Sequence, residues 1–318
     1  MRSGFAAALP IDPCTDLYQA SCQDQSKPDP TASQSDPDAR VQSLFPKVKG
    51  LIAEKITQML PGDQRKELRE KIIQRMRSVG LEKKCDVKIP QDRQGQPRPF
   101  GDYDFDKNMI GHCVDANRAV SDFQLVHLLA HELSHSFDPC ILGVDVPSSP
   151  AVINYPQGSG FRDAIPHYPF AGLLVCLQRP TSAHVQTYVP EKNETPEQSA
   201  KPTKSGGPFC NGDTQFMETF CEWMAAEIVP LFVERNQIRT NPDQYRAGYL
   251  GIYQPAFKCE KDEPQGWNGI YANERRISNQ MLLTQPLIRQ QMGCNGPPSG
   301  EHCPAANASE GFNPSPET

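Results

Sequence analysis

The stretch that could do chemistry is His131-Glu132-Leu133-Ser134-His135. In a helix, two histidines four apart lie one turn apart on one face. Both imidazoles then reach one metal ion from the same side. Glu132 follows the first histidine and projects towards water at that metal. The set suits a single Zn2+ that keeps one position open for hydrolysis. The competing reading is an amphipathic helix whose histidines are merely packed or solvated.

Zinc of this kind takes three protein ligands, so the third comes from elsewhere in the chain. The metzincin continuation H-x-x-G-x-x-H is absent, since Asp138, Pro139, Cys140 and Ile141 stand downstream of His135. Glu218 is the expected third ligand. It shares a helix face with Glu222, four residues on, and Phe220 and Trp223 give that region a partly buried character. Otherwise the two acids simply line a solvated face. His127 lies one turn before His131. Three successive turns of one straight helix do not wrap a tetrahedral ion, so His127 is expected to support the site or the packing. Asp138 can accept a hydrogen bond from a zinc-bound histidine and so fix its tautomer.

Helices must position these groups. Leu125, Leu128, Leu129 and Leu133 form an apolar stripe that predicts a helix over about 119–137, starting at Ser121 or slightly earlier. A second long helix is predicted over 213–235, with Asp213 as its cap. Helical spacing also marks 41–60 and 63–79, a hairpin broken at Pro61-Gly62 and stopped at Gly80. Cys85 to Ile89 alternates like a short strand, and Phe100–Phe105 with Met109–Val114 reads as a hairpin around Asp106-Lys107-Asn108. Phe170–Leu177 is apolar enough for a helix or a strand. Further helices are predicted from about 241 towards Phe257, over 273–283, and from Pro286 to Gly293. The segment 139–212, rich in Pro, Gly and Ser, is long for an irregular connection and is expected to shape a cleft.

The chain has 318 residues and a formal charge of −6 without basic blocks, so neither nucleic acid nor an anionic membrane is an expected partner. No apolar run reaches the ~18 residues of a transmembrane helix. Eleven cysteines spread from Cys14 to Cys303, with no C-x-x-C pair, read as disulfides of an oxidising compartment. The expectation is a secreted or periplasmic protein whose signal peptide has been removed. Asn193-Glu194-Thr195 and Asn307-Ala308-Ser309 are glycosylation sequons.

Three regions resemble the neprilysin family of zinc metallopeptidases. His131-Glu132-Leu133-Ser134-His135-Ser136-Phe137-Asp138 resembles the family's H-E-x-x-H-x-F-D. Glu218-Thr219-Phe220-Cys221-Glu222 sits where the family has E-x-x-x-D, and Asp12-Pro13-Cys14 through Cys22 resembles its N-terminal motif. The resemblance implies that His131, His135 and Glu218 bind zinc, that Glu132 is the general base, and that Asp138 and Glu222 support the histidines. Glu222 stands in place of an aspartate. Arg276 resembles the arginine that holds the substrate backbone. The resemblance also implies the disulfides Cys14–Cys294, Cys22–Cys259 and Cys176–Cys303. Cys85, Cys113, Cys140 and Cys210 are then extra, and Cys221 is the expected free thiol. The family's N-A-x-Y substrate strand has no copy, although Phe100-Gly101-Asp102-Tyr103 stands near its place. Its histidine ahead of the arginine is also missing, and Tyr271 is the one candidate substitute. The chain is far shorter than typical members, and their large helical domain is reduced to roughly the 41–80 hairpin.

The expected fold is α+β: a mostly helical, zincin-like catalytic domain with a small sheet, stabilised by disulfides. The expected divisions are a Cys-containing segment and polar linker (1–40), a helical hairpin (41–82), the catalytic domain (83–303) and a disordered tail (304–318). The expected activity is hydrolysis of a peptide or protein substrate. Two other readings stand beside it: a catalytically silent zinc-binding protein on a peptidase scaffold, and a hydrolase of a non-peptide amide such as a cell-wall crosslink.

Overall fold

The computed structural model describes residues 11–23, 32–33, 35–85, 99–116, 119–138, 169–178, 214–238, 240–253, 277–298 and 300–309. Eight α-helices and three strands occur among them: α1 (Leu17–Gln23), α2 (Pro37–Met59), α3 (Lys66–Ser78), β1 (Gly80–Lys83), β2 (Phe100–Asp104), β3 (Met109–Cys113), α4 (Asp122–Ser134), α5 (Ala171–Gln178), α6 (Thr214–Arg235), α7 (Pro242–Tyr253) and α8 (Pro286–Gln291). A 3-10 turn, His135–Phe137, prolongs α4, and a π-helical turn spans Ile277–Leu282. The architecture is mixed, helices with a small three-stranded sheet whose strand β2 packs against α4.

Local sequence explains the main helices. Asp36 caps α2 by accepting from the backbone N–H groups of Asp38 and Ala39, and Pro37 opens the first turn. Val41, Leu44, Val48, Ile52, Ile56 and Met59 recur at helical spacing and are buried. For α4 the start is a capping box. Ser121 Oγ accepts from the Gln124 N–H at 3.3 Å, and Gln124 Oε1 accepts from the Ser121 N–H at 3.0 Å. Arg40 reaches across from α2 to Asp122 in that first turn.

One hydrophobic cluster takes side chains from α1, from α2 and α3, from α4, from α6 and from the C-terminal turns. Its centre is the face shared by α4 and α6, the most extensive helix pair, with α2 packed against both. Phe220 lies between Phe170, stacked at 5.6 Å, and Phe137, edge-on at 5.9 Å. That aromatic sandwich sets the rotation of α6 beside α4. The 41–82 hairpin thus shares the core of the helices that carry the histidines.

The sheet has the order β1-β3-β2, with β1 parallel and β2 antiparallel to β3. The sequence did not mark the strand Gly80–Lys83, in which Gly80 pairs with Met109 and Lys83 with His112. Gly80 therefore starts a strand, while α3 has already ended at Ser78 with Val79 as its C-cap. Cys85 lies outside any strand, and residues 86–89 of the strand expected over Cys85–Ile89 lie outside the described residues. The chain from 304 is also not uniformly loose. Ala305, Ala308 and Ser309 are buried, Leu173 N–H donates to Ala308 O at 3.1 Å, and Arg65 holds Ser309. The rest of that tail lies outside the described residues.

Disulfides join Cys14 to Cys294, Cys85 to Cys113 and Cys176 to Cys303. Cys22 is also disulfide-bonded, and its implied partner Cys259 lies outside the described residues. Cys221 is the free cysteine among the described residues, and it is buried. Cys140 and Cys210 lie outside them. Among the described residues no helix is long and apolar enough to cross a membrane.

Candidate metal centre

Successive turns carry His127 and His131 on α4 and His135 at the start of the 3-10 turn that prolongs it, and Glu218 and Glu222 sit one turn apart on the facing helix α6. His131 Nε2 lies 3.0 Å from Glu218 Oε2 and 3.3 Å from His135 Nε2, and His135 Nε2 lies 3.6 Å from the same carboxylate oxygen. These ligand atoms all fall within 4.8 Å of one another. Tetrahedral zinc with bonds of ~2.0–2.2 Å keeps its ligand atoms about 3.3–3.6 Å apart. Two of the three edges match that spacing and the third, His131 to Glu218 at 3.0 Å, is shorter by a few tenths of an ångström; two imidazoles with one carboxylate are a zinc-like donor set, so the residues fit the ion after a small adjustment.

Supporting groups meet the other ring nitrogens. His131 Nδ1 lies 3.4 Å from Glu222 Oε1, close enough to pair but without the alignment of a hydrogen bond. His135 Nδ1 lies 3.6 Å from Asp138 Oδ2 and 3.3 Å from Cys221 Sγ. His127 does not join the converging set; its Nε2 donates to Glu222 Oε2 at 3.0 Å. Glu132 is not one of the converging ligands, yet it lies near enough to feel the charges of His131, His135 and Glu218. It is 8 % exposed, and its flank touches β2.

In the metal-free protein the cluster holds protons. Burial works against the charged form of His131, but Glu222 and Glu218 outweigh it and raise the pKa to about 10. His135 is raised too: burial opposes its charge, and Cys221, Asp138 and Glu218 prevail. Burial pushes the Glu218 carboxyl upward, yet His131 and His135 bring it down to about 2. For Glu222 burial is likewise overcome, by His127 and His131, and its pKa falls below the ordinary carboxylate value. Glu132 goes the other way, because burial raises it more than the two histidines lower it. Burial also pushes the Cys221 thiol up, which makes it a neutral neighbour of His135.

The edge strand β2 lies against the motif helix. A Cβ added at Gly101 would stand 2.7 Å from Glu132 Cγ and 3.0 Å from Leu128 Cδ1. Only a residue without a side chain lets the strand approach so closely. Further along β2, the Tyr103 hydroxyl donates to Asn108 Oδ1 at 2.6 Å, in the tight turn where Asn108 has φ +52°. Arg75 donates through Nε to the Ser136 carbonyl at 2.6 Å, tying α3 to the turn after His135.

The sequence-predicted residues His131, His135, Glu218, Glu132, Glu222 and Asp138 thus stand in one neighbourhood. Arg276 and Tyr271 lie outside the described residues. Sequence reasoning did not single out Cys221 as a contact of His135, or Gly101 as a contact of Glu132. Spacing carried a signal for the first, since Cys221 is three residues after Glu218 and so shares its side of α6. No signal within β2 marked the second. No protein-family model matches the chain, and neither a curated protein nor a solved structure was found to match it.

Proposed function

We propose that the chain is a zinc metallopeptidase related to the neprilysin family, with a zincin-like catalytic domain, acting on peptides in a secreted or periplasmic setting. The observation that carries this reading is the convergence of His131, His135 and Glu218 beside the buried Glu132. Disulfides support the oxidising compartment. Bound there, zinc would supply a Lewis acid and a water of lowered pKa.

The chain's own residues do the rest. Glu132 accepts a proton from the attacking water at its carboxylate and returns it to the leaving amine. Its raised pKa suits a group that must hold a proton between the two steps. Glu222 and Asp138 stand 3.4 Å and 3.6 Å from the Nδ1 atoms of His131 and His135, and with the ion bound they would accept from those N–H groups, which would keep both Nε2 atoms free to bind. The outer edge of β2 carries no partner strand among the described residues, so an extended peptide can add to it through backbone hydrogen bonds. Gly101 sets the distance between that edge and Glu132. Arg276 is the residue to which the family resemblance assigns the substrate backbone.

The test uses the purified chain with its disulfides intact. One zinc per chain is expected by metal analysis, together with cleavage of a generic peptide library that a chelator abolishes and added zinc restores. Cleavage that survives chelation would overturn the reading. So would a zinc-loaded chain that leaves the whole library intact. Gly101→Ala tests the strand's part. It is expected to keep its zinc and lose peptide hydrolysis by about 10²-fold, the scale of a misplacement of about 1 Å. Measured zinc content and turnover on one cleaved peptide decide it.

A further inference from the structure

Glu222 touches two histidines, and only one of them belongs to the metal set. Its Oε2 accepts from His127 Nε2 at 3.0 Å, while its Oε1 lies 3.4 Å from His131 Nδ1. The rings of His127 and His131 are 30° from parallel, with centroids 6.3 Å apart. All three side chains are buried. One carboxylate thus bridges imidazoles on neighbouring turns of α4.

An ionised carboxylate only accepts hydrogen bonds, so the proton between His127 and Glu222 belongs to His127 Nε2. That bond is short and fixes one oxygen. The other contact is longer and does not align by itself. Metal binding at His131 Nε2 requires the remaining proton on Nδ1, which then needs an acceptor, and Glu222 Oε1 is the carboxylate oxygen at hand. A glutamate stem has more rotamers than an aspartate stem, so a carboxylate placed by glutamate needs an anchor. His127 occupies the position of that anchor, one turn before the ligand it serves.

We propose that His127 is a positioning residue of the metal centre: by holding Glu222 Oε2 it keeps Glu222 Oε1 against His131 Nδ1, and so aims His131 Nε2 at the ion. This rests on the metal-centre reading above. His127 itself binds no metal in this scheme, which accounts for three stacked histidines of which only two ligate.

The test measures zinc affinity in the full chain by competition with a chromophoric chelator. Melting of the metal-free form serves as the fold control. His127→Leu removes the donor and is expected to weaken zinc binding by about 10–100-fold, in a chain whose metal-free melt stays cooperative but moves to lower temperature because the buried Glu222 carboxylate loses a partner. His127→Gln places an amide N–H where Nε2 stands and is expected to restore most of the affinity. In a Glu222→Gln background, His127→Leu is expected to add less than about twofold, because both changes act through one contact. If His127→Leu does not fold, His127→Asn, whose amide falls short of Oε2, takes its place. Wild-type affinity in the donor-less variant would overturn the proposal. Equal losses in the Leu and Gln variants would do the same, as would a full additive loss on the Glu222→Gln background. A wild-type chain that binds no zinc is a separate outcome: it removes the metal centre, and this role with it.

Discussion

Glu132→Gln is expected to bind zinc as the wild type does and to hydrolyse peptides about 10²–10⁴-fold more slowly, the range for losing a general base. The expectation has three supports. Glu132 is not among the converging ligand atoms, so the ion keeps its full set. Glutamine has nearly the same shape, so the tight contact with Gly101 on β2 survives. What changes is the proton chemistry, since an amide does not take the water's proton and hand it to an amine. Burial raises the glutamate's pKa because the pocket disfavours its charge, and a neutral glutamine fits the same pocket without penalty. Metal analysis and kcat on one peptide, measured on the same preparation, are sufficient. Hydrolysis at the wild-type rate would remove Glu132 from the mechanism.

The helix that carries the histidines was legible because three independent signals coincide in it. Histidine spacing, the leucine stripe and the Ser121 start all point to one amphipathic helix, and tertiary packing agrees with each. Glu218 was legible for a related reason: acids flanked by Phe220 and Trp223 are out of place on a solvated face, and α6 indeed turns them towards α4. The sheet was less legible. Gly80-Leu81-Glu82-Lys83 has one apolar side chain and no alternation, yet it becomes a strand because the backbone of β3 beside it needs partners. Cys85-Asp86-Val87-Lys88-Ile89 has the alternation, and of it only Cys85 belongs to the described residues. The ordered start of the tail, up to Ser309, was not legible because composition alone does not report tethering. Cys303, bonded to Cys176, and the Trp223 indole, which donates to the Cys303 carbonyl at 3.0 Å, bring a polar segment onto the core. Gly101 was silent because its reason lies in another element, the flank of Glu132.

Zinc affinity is expected to rise steeply with pH, by about tenfold per unit for each proton that the metal displaces. The metal-free site explains why. His131 has its pKa raised from 6.5 to about 10, with burial opposing and the Glu222 and Glu218 carboxylates prevailing. Above 6.5 and up to that value the folded, metal-free chain still holds a proton on an imidazole that zinc needs neutral. His135 is raised in the same direction and adds to the slope. The same shifts act on stability with a definite sign. A raised histidine pKa stabilises the fold fully below the unfolded value of 6.5, and the contribution is lost as pH climbs through about 10. A lowered carboxylate such as Glu218 stabilises above its unfolded value of 4.5, and the contribution is lost as pH falls through about 2. Both are fully present together only between pH 4.5 and 6.5. From pH 6.5 upward the metal-free protein therefore loses support from its His–Glu cluster while the loaded protein binds its ion more tightly. The gap in melting temperature between loaded and chelated forms should widen over that range. Calorimetric titration of zinc in buffers of different ionisation enthalpy reads the protons released directly. An affinity that does not change with pH, or a melting gap that narrows as pH rises, would show that His131 and His135 do not exchange protons for metal.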